Sequence, residues 1–155
     1  MGVSGCGKTT VGQMLAARMG ATFVDGDDLH PQANVDKMAA GTPLTDEDRA
    51  PWLVKVGETL AGSSGLCLIG CSALKRAYRD TIRAAAGEQV MFLHLSGSRA
   101  VLEARMAARQ RHFMPLSLLD SQIATLEPPG ADEAYLSVDI DQPVDVIVGA
   151  LAARI

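Results

Sequence analysis

The feature that most constrains this chain lies near its beginning, where residues 2–9 read GVSGCGKT and fit the pattern G-x-x-x-x-G-K-[ST]. Glycines at this spacing let backbone N–H groups wrap closely around an anion without side-chain clashes. In this pattern the lysine, Lys8, reaches the β- and γ-phosphates, the hydroxyl of Thr9 ligates Mg²⁺, and the next helix points its positive end at the phosphates. We therefore predict a loop that binds a nucleoside triphosphate, here called the phosphate loop, and favour it over a Gly-rich turn that only caps a helix.

A loop of this kind normally follows a buried β-strand, but only Met1 precedes Gly2. In a parallel sheet that strand lies between two others, so that without it the neighbouring edges are unpaired. We expect that the natural chain begins roughly ten residues further upstream, which is enough for one strand of mean length and its approach.

Length and composition exclude several classes of protein. The chain has 155 residues, of which 48% are hydrophobic, so it can bury a core as one domain. We find no run of about 18 apolar residues and no basic segment followed by an apolar one, and expect neither a membrane span nor a secretory signal. The net charge of −4 argues against nucleic acid as a partner. The odd number of cysteines, Cys6, Cys67 and Cys71, suggests reduced thiols in the cytosol. Cys67 and Cys71 lack the spacing and the histidine partners of a zinc site, which favours small buried residues.

Segments with helical periodicity alternate with short apolar segments. The predicted helices span residues 8–19, 33–40, 46–62, 74–86, 98–111, 117–126 and 144–154, and the predicted strands span 21–24, 66–69, 90–95 and 135–140. Thr45 and Asp48 form a plausible capping pair for the third helix. This alternation indicates an α/β fold in which helices cover both faces of a parallel sheet. Ligands bind beyond the carboxyl ends of such strands, so residues 25–27, 70–75 and those after 95 are expected beside the phosphate loop.

Two carboxylates follow the first predicted strand, in the segment Asp25-Gly26-Asp27-Asp28, here called the acidic turn. Asp25 and Asp27 project to the same side if the chain stays extended. Near a magnesium–triphosphate, such carboxylates hold metal-bound water or accept a proton from an attacking hydroxyl group. A turn that caps the next helix would use the same residue types, so both interpretations stay open.

Cations cluster at the same predicted edge. Lys75 and Arg79 belong to a group of three cations within five residues after a buried strand, which is moderately specific for anion binding. Arg49 follows acidic residues, so that it either binds a ligand or pairs with Asp46 or Glu47 at the surface.

Three ring side chains have less specific signals. His30 either caps a turn or contacts a substrate, and its pKa range permits acid–base chemistry. His94 lies inside an apolar strand, which favours a core residue. Trp52 is the only tryptophan, and burial in a helix contact is favoured over stacking on a ligand.

Arg105 and Arg109 are four residues apart and share a helix face, just before a break at residues 112–115. A basic helix end beside such a break suits a lid that brings cations over a transferring phosphate and excludes water. A solvated charged face is the alternative.

Taken together, these segments resemble the small gluconate kinases of the P-loop kinase superfamily, which are related to shikimate kinases. The narrowest signatures are DGDDLHP at residues 25–31, PWL at 51–53 and CSALK at 71–75, and the matching stretches cover most of the chain in the family's order. The resemblance implies one kinase domain over residues 1–155, with a lid at about 105–118, that transfers the γ-phosphoryl group of ATP to the 6-hydroxyl of D-gluconate with Mg²⁺.

The resemblance also implies roles for individual residues. The residues implied as catalytic are Lys8, Asp27, Arg105 and Arg109. Those implied to bind ATP are Gly2, Val3, Ser4, Gly5, Cys6, Gly7, Lys8, Thr9, Asp141, Gln142 and Pro143. Those implied as metal ligands are Thr9 and Asp25. Those implied to contact the substrate are Asp27, His30, Arg49, Lys75 and Arg79.

Other functions remain as alternatives. One is a kinase for a different small acceptor, such as shikimate or a nucleotide. Another is an ATP-binding module without catalysis, against which the acceptor-side carboxylate and the lid arginines argue. A third possibility is that the chain as given, which lacks the strand before its phosphate loop, binds ATP poorly. Dimers occur in the family, so a homodimer is admitted, although no stripe of the sequence predicts an interface.

Overall fold

The structure, a computed structural model, describes residues 1–87, 90–108 and 116–155. Each predicted segment overlaps an element of the predicted type. The helices are α1 (Lys8–Met19), α2 (Gln32–Ala39), α3 (Asp46–Ala61), α4 (Arg76–Ala86), α5 (Arg99–Ala107), α6 (Leu116–Thr125) and α7 (Val144–Ala152). The strands are β1 (Thr22–Asp25), β2 (Cys67–Gly70), β3 (Phe92–Ser96) and β4 (Tyr135–Asp139), and a short 3₁₀ helix spans Gly26–Leu29. Within the described residues, no helix is both long enough and apolar enough to cross a bilayer.

Glycines delimit α1 at both ends. Gly7 precedes the helix with a φ of 94°, and Gly20 ends it with a φ of 65° while its N–H donates to the carbonyl of Ala16. Both values lie in the left-handed region, where residues with a Cβ are strained. Val11 and Leu15 form the buried face of this helix. The predicted bounds of α1 are therefore confirmed.

The start of α3 follows the predicted capping pair. The hydroxyl of Thr45 accepts from the N–H of Asp48 at 3.2 Å, and the carboxylate of Asp48 accepts from the N–H of Thr45 at 2.8 Å. This reciprocal pair satisfies two amides that the helix leaves free. Further along, α3 packs closely on α4, since a Cβ on Gly57 would lie 2.5 Å from the carbonyl oxygen of Ile82.

The start of α4 differs from the prediction by two residues. Ala73 has a φ of 44°, and Lys75 is extended at φ −93° and ψ 151°, so the helix begins only at Arg76. The segment from Cys71 to Lys75 is consequently a loop that follows β2. This loop carries Lys75 to the edge of the sheet.

Parallel strands with helices on their faces are confirmed, but the strands form two separate sheets. β1 pairs with β2, and β3 pairs with β4, each in parallel. The facing edges of β2 and β3 are not paired with each other, and this confirms the predicted unpaired edges.

The first two residues lie between these two edges. The amino group of Met1 donates to the carbonyl of Leu93, the N–H of Leu95 donates to the carbonyl of Met1, and the N–H of Gly2 donates to the carbonyl of Ser72. An apolar cavity of about 410 Å³ continues the gap. Among the residues that line it are Leu15, Leu68, Ile69, Phe92 and Leu93.

Two apolar clusters hold the helices to the strands. The first joins α1, α7 and β3 through residues such as Leu15, Leu95 and Ile147. The second joins α3 and α4 and includes Trp52 and Ile82. Together they fix the loops that follow β1 and β2 beside the phosphate loop.

Candidate active site

The phosphate loop has a backbone that only glycine adopts without strain at several positions. Gly2, Gly5 and Gly7 have φ values of 139°, 83° and 94°. A Cβ on Gly2 would lie 2.8 Å from the carbonyl oxygen of Leu95, and one on Gly5 would lie 2.9 Å from the side chain of Met106. Both the conformation and the packing therefore require glycine in this loop.

Lys8 lies folded over the phosphate loop. Its ammonium donates to the carbonyl of Gly2 at 3.0 Å and to that of Val3 at 3.2 Å. These contacts hold the positive charge at the loop. An anion that enters the loop would offer the ammonium a stronger acceptor than a neutral carbonyl.

Thr9 and Asp25 are brought together although they are far apart in the chain. The Thr9 hydroxyl donates to Oδ2 of Asp25 at 3.0 Å. The other oxygen, Oδ1, accepts from the N–H of Asp27 at 3.2 Å, so Asp25 also caps the 3₁₀ helix. The cap interpretation is therefore confirmed as a contact, and the role of Asp25 at a metal stays a prediction. Two oxygen donors beside a phosphate loop are the chemistry that Mg²⁺ prefers, and Mg²⁺ takes its remaining ligands from water and phosphate.

His30 and Trp52 form a stacked pair next to the acidic turn. Their ring centroids are 4.2 Å apart with an interplanar angle of 14°. Trp52 is buried in the contact between α3 and α4, as predicted. Its Nε1–H donates to the carbonyl of Gly26 at 2.7 Å. This hydrogen bond fixes the position of the acidic turn relative to α3.

His30 is held in its neutral form. Burial lowers the pKa of His30 below its ordinary value of 6.5. Nδ2 of Asn34 donates to Nδ1 of His30 at 3.3 Å, which places the ring hydrogen on Nε2. The same amide donates to the carbonyl of Asp48 at 2.8 Å, and Asn34 is 4% exposed. Sequence analysis assigned no role to Asn34, because its burial depends on a contact with α3 that the sequence does not show.

The cations Arg49, in α3, and Lys75, in the loop before α4, lie on either side of Asp46. They are here called the cation pair. Both contact Asp46, with Nζ of Lys75 at 2.6 Å and Nη1 of Arg49 at 3.5 Å. The hydrogen bond to Asp46 raises the pKa of Lys75 above its ordinary value. The surface pairing of Arg49 with Asp46 is therefore confirmed as a contact. The ring of Tyr78, which sequence analysis did not single out, lies 5.9 Å from the guanidinium carbon of Arg49 and 5.3 Å from Nζ of Lys75.

Arg79 lies inside the protein and not at the ligand edge. Its side chain is 0% exposed and binds Glu133 through two nitrogens, at 2.7 and 2.8 Å. The third nitrogen donates to three main-chain carbonyls, those of Ala73, Leu74 and Glu127. The guanidinium is saturated by internal acceptors, so we correct the expectation that Arg79 contacts the substrate.

Arg105 connects the phosphate loop to the end of β4. Its Nη1 donates to the carbonyl of Cys6 at 3.5 Å, and its Nη2 donates to the carbonyl of Ile140. Arg109, the second predicted lid arginine, lies outside the described residues, as do residues 109–115 of the predicted lid.

The predicted adenine-side residues follow β4 directly. The N–H of Asp141 donates to the side chain of Asp139 at 2.9 Å, and the amide of Gln142 donates to the carbonyl of Asp139 at 3.1 Å. Pro143 is the N-cap residue of α7. All three are exposed at the same edge as the phosphate loop.

A residue of α6 also holds the phosphate loop. The N–H of Ser4 donates to Oε1 of Gln122 at 2.7 Å. Sequence analysis assigned no role to Gln122, because its contact with the loop joins residues that are far apart in the chain. The contact ties the helix that follows the predicted lid to the loop.

Comparisons with known proteins agree with this arrangement. A family profile described as an AAA domain matches residues 1–129. A protein named gluconokinase from Gluconobacter oxydans is 48% identical over 157 residues, which cover 97% of this chain and 86% of that protein. The thermoresistant gluconokinase of Escherichia coli is 44% identical, with 97% of this chain and 87% of that protein covered. The crystal structure of a gluconokinase from Sinorhizobium meliloti superposes with a TM-score of 0.86 at 49% identity, and covers 99% of this chain and 89% of that one.

Proposed function

Because this chain belongs to the gluconokinase family of P-loop kinases, we propose that it transfers the γ-phosphoryl group of ATP to the 6-hydroxyl of D-gluconate, giving 6-phosphogluconate and ADP. The observation that carries the proposal is the identity of 44% and 48% with named gluconokinases over 97% of the chain. A shared fold would not define the acceptor, since one fold hosts many activities. The alternatives of a shikimate-like acceptor and of a non-catalytic module are not favoured.

The phosphate loop supplies the site for ATP in this proposal. The backbone N–H groups of residues 2–9 bind the β- and γ-phosphates, and Lys8 exchanges the carbonyls of Gly2 and Val3 for phosphate oxygens. Arg105, together with Arg109, stabilises the charge of the transferring group. Asp141, Gln142 and Pro143 line the adenine side.

Mg²⁺ fits the pair of oxygens that Thr9 and Asp25 present at 3.0 Å from each other. When bound, the ion neutralises part of the charge on the phosphates. Its ligands in this proposal are the Thr9 hydroxyl and the Asp25 carboxylate. Thr9 belongs to the phosphate loop and Asp25 lies next to it, which supports the assignment.

The acceptor lies across from the phosphate loop, between the acidic turn and the cation pair. Asp27 contacts the 6-hydroxyl of gluconate and takes its proton as the oxygen attacks phosphorus. Neutral His30 donates from Nε2 to a hydroxyl group. Arg49 and Lys75 bind the substrate carboxylate, for which the planar fork of an arginine is well suited.

An assay of ADP release with the purified protein tests this function. Gluconate, shikimate and nucleoside monophosphates are compared as acceptors, and the phosphorylated product is identified by mass spectrometry. We expect product with gluconate only. Product with another acceptor and none with gluconate would refute the proposal.

Replacing the acceptor-side carboxylate tests the mechanism. We expect that Asp27→Asn lowers kcat by about 10²- to 10⁴-fold, because the amide cannot take the proton. Asp28→Asn, next to it on the exposed face of the acidic turn, is the matched control and should stay near the parent. A rise in KM with unchanged kcat would make Asp27 a binding residue and not a base.

We further propose that the whole chain forms one kinase domain with its lid at about residues 105–118. A cytoplasmic location is supported by the three cysteines, which are free thiols. The homodimer admitted by the family stays a prediction that light scattering on the purified protein would test.

A further inference from the structure

The cation pair already holds a carboxylate that belongs to the chain itself. Oδ2 of Asp46 lies 2.6 Å from Nζ of Lys75, and Oδ1 lies 3.5 Å from Nη1 of Arg49. The hydroxyl of Tyr78 donates to Oδ1 as well. Two hydrogen-bond donors, Lys75 and Tyr78, and the guanidinium of Arg49 thus converge on one carboxylate.

The ring of Tyr78 forms the floor of this arrangement. It lies within 6 Å of both cations, at the distances given above, which is the range of a cation–π contact. Tyr78 is 6% exposed, so the floor is anchored in the core. Arg49 and Lys75 are thereby held side by side in a geometry that receives a single carboxylate.

Asp46 is not needed to start its helix. The capping box of Thr45 and Asp48 satisfies the free amides of α3, and Glu47 supplies an acidic side chain to the same first turn. The contact of Asp46 with Arg49 is an i,i+3 pair within α3, whereas its contact with Lys75 joins α3 to the loop before α4. Helix formation does not require this second contact.

The contact between Asp46 and the cation pair is exchangeable. The side chain of Asp46 is 54% exposed, and those of Lys75 and Arg49 are 32% and 31% exposed. Ion pairs with this much contact with water are weak, and another carboxylate can replace one partner at little cost. The hydrogen bond from Lys75 lowers the pKa of Asp46, so the carboxylate is charged throughout the neutral range.

We propose that Asp46 occupies the place that the substrate's carboxylate takes, and that Asp46 leaves the cation pair when an acidic sugar binds. This inference rests on the proposed function. Asp46 is then a specificity-determining residue, because a ligand without a carboxylate would displace Asp46 and leave both cations without a counter-charge. An acidic ligand replaces one carboxylate by another.

The experiment compares two neighbouring acids of the same helical turn. Asp46→Asn removes the internal competitor, and Glu47→Gln removes one charge without touching the cation pair. KM and kcat for gluconate are measured for both variants and the parent. We expect Asp46→Asn to lower the KM for gluconate about three- to fivefold, the range of one or two exposed ion pairs, with the effect in KM and not in kcat. Glu47→Gln should leave KM unchanged.

A second variant and a second measurement guard against misfolding. Tyr78→Phe keeps the ring under both cations and removes a hydroxyl group that donates to whichever carboxylate lies there, so KM should change less than in Asp46→Asn. Calorimetric titration with gluconate in the absence of ATP should show tighter binding for Asp46→Asn by the same three- to fivefold. Glucitol, the neutral polyol of equal length, should bind the parent more weakly than gluconate does, because it uncovers the cations without supplying a carboxylate.

The outcomes separate the two proposals. A parent that binds gluconate but yields no product refutes the proposed function alone, and the titration still decides on Asp46. A parent that neither binds nor phosphorylates gluconate refutes both. An unchanged or higher KM in Asp46→Asn, or an equal fall in Glu47→Gln, overturns the displacement of Asp46.

Discussion

Lys75 and Arg79 lie four residues apart around the start of α4, yet the fold uses their charges in opposite ways. Lys75 is 32% exposed and contacts the exposed carboxylate of Asp46. Arg79 is 0% exposed and is saturated by Glu133 and main-chain carbonyls. The first contact can be exchanged for a ligand, whereas the second cannot be broken without leaving a charge unpaired in the interior.

The difference teaches that burial, and not charge or sequence position, separates a binding cation from a structural one. Arg79 ties α4 to the segment before β4, because Glu133 also accepts from the N–H of Gly130 at 2.9 Å and contacts Arg83. This tie keeps the loop that carries Lys75 in place. The buried pair thus supports the position of the exposed one.

The largest effect that would sharpen this comparison is expected from the buried carboxylate. Glu133→Gln should lower the free energy of unfolding by about 3–5 kcal/mol, since it leaves the guanidinium of Arg79 without its counter-charge. Asp132→Asn, the matched control, affects the exposed pair with Arg76 and should cost less than about 1 kcal/mol. Urea unfolding measures both, and equal losses in the two variants would contradict the distinction.

The exposed cation should show the reverse pattern. Lys75→Met is expected to raise the KM for gluconate by about three- to fivefold, the range of an exposed ion pair, while stability changes by less than about 1 kcal/mol. Lys55→Met is the control, because Lys55 is an exposed lysine of α3 that pairs with Glu58. Steady-state kinetics and urea unfolding are measured on the same samples. A large loss of stability in Lys75→Met would break the comparison.

The smallest expected effect is the dependence of the unfolding free energy on acidic pH. The hydrogen bonds from Arg79 hold the pKa of Glu133 well below its ordinary value of 4.5. Because the folded pKa is the lower one, the pair contributes its full stability above about pH 4.5 and loses it as the pH falls toward the folded value. The difference in unfolding free energy between the parent and Glu133→Gln should narrow there by at most about 1.4 kcal/mol per pH unit. A difference that stays constant down to pH 3 would contradict this expectation.

Local signals predicted much of the fold and part of the site. The bounds of α1 follow from the glycines at each end, and the capping pair of α3 is confirmed. His94 is buried, as its place in an apolar strand predicts. The start of α4 was predicted two residues early. Ala73 adopts a left-handed backbone, which glycine or asparagine would have indicated but alanine does not.

Contacts between distant segments could not be predicted in this way. Nothing near Arg79 indicates Glu133, which lies 54 residues further along the chain. Gln122 reaches the phosphate loop over 118 residues. Such partners depend on which helices pack together, and single side chains carry no information about that.

The eight contiguous residues of the phosphate loop needed no tertiary context to be identified, because backbone freedom, charge and hydroxyl group are all supplied within one turn and the helix that follows it. The alternation of strands and helices likewise follows from short-range periodicity. Which cations face a ligand was decided only in the folded protein, where solvent exposure and the arrival of remote carboxylates assign each charge its partner. Periodicity is a property of neighbours in the chain, whereas desolvation is a property of neighbours in space.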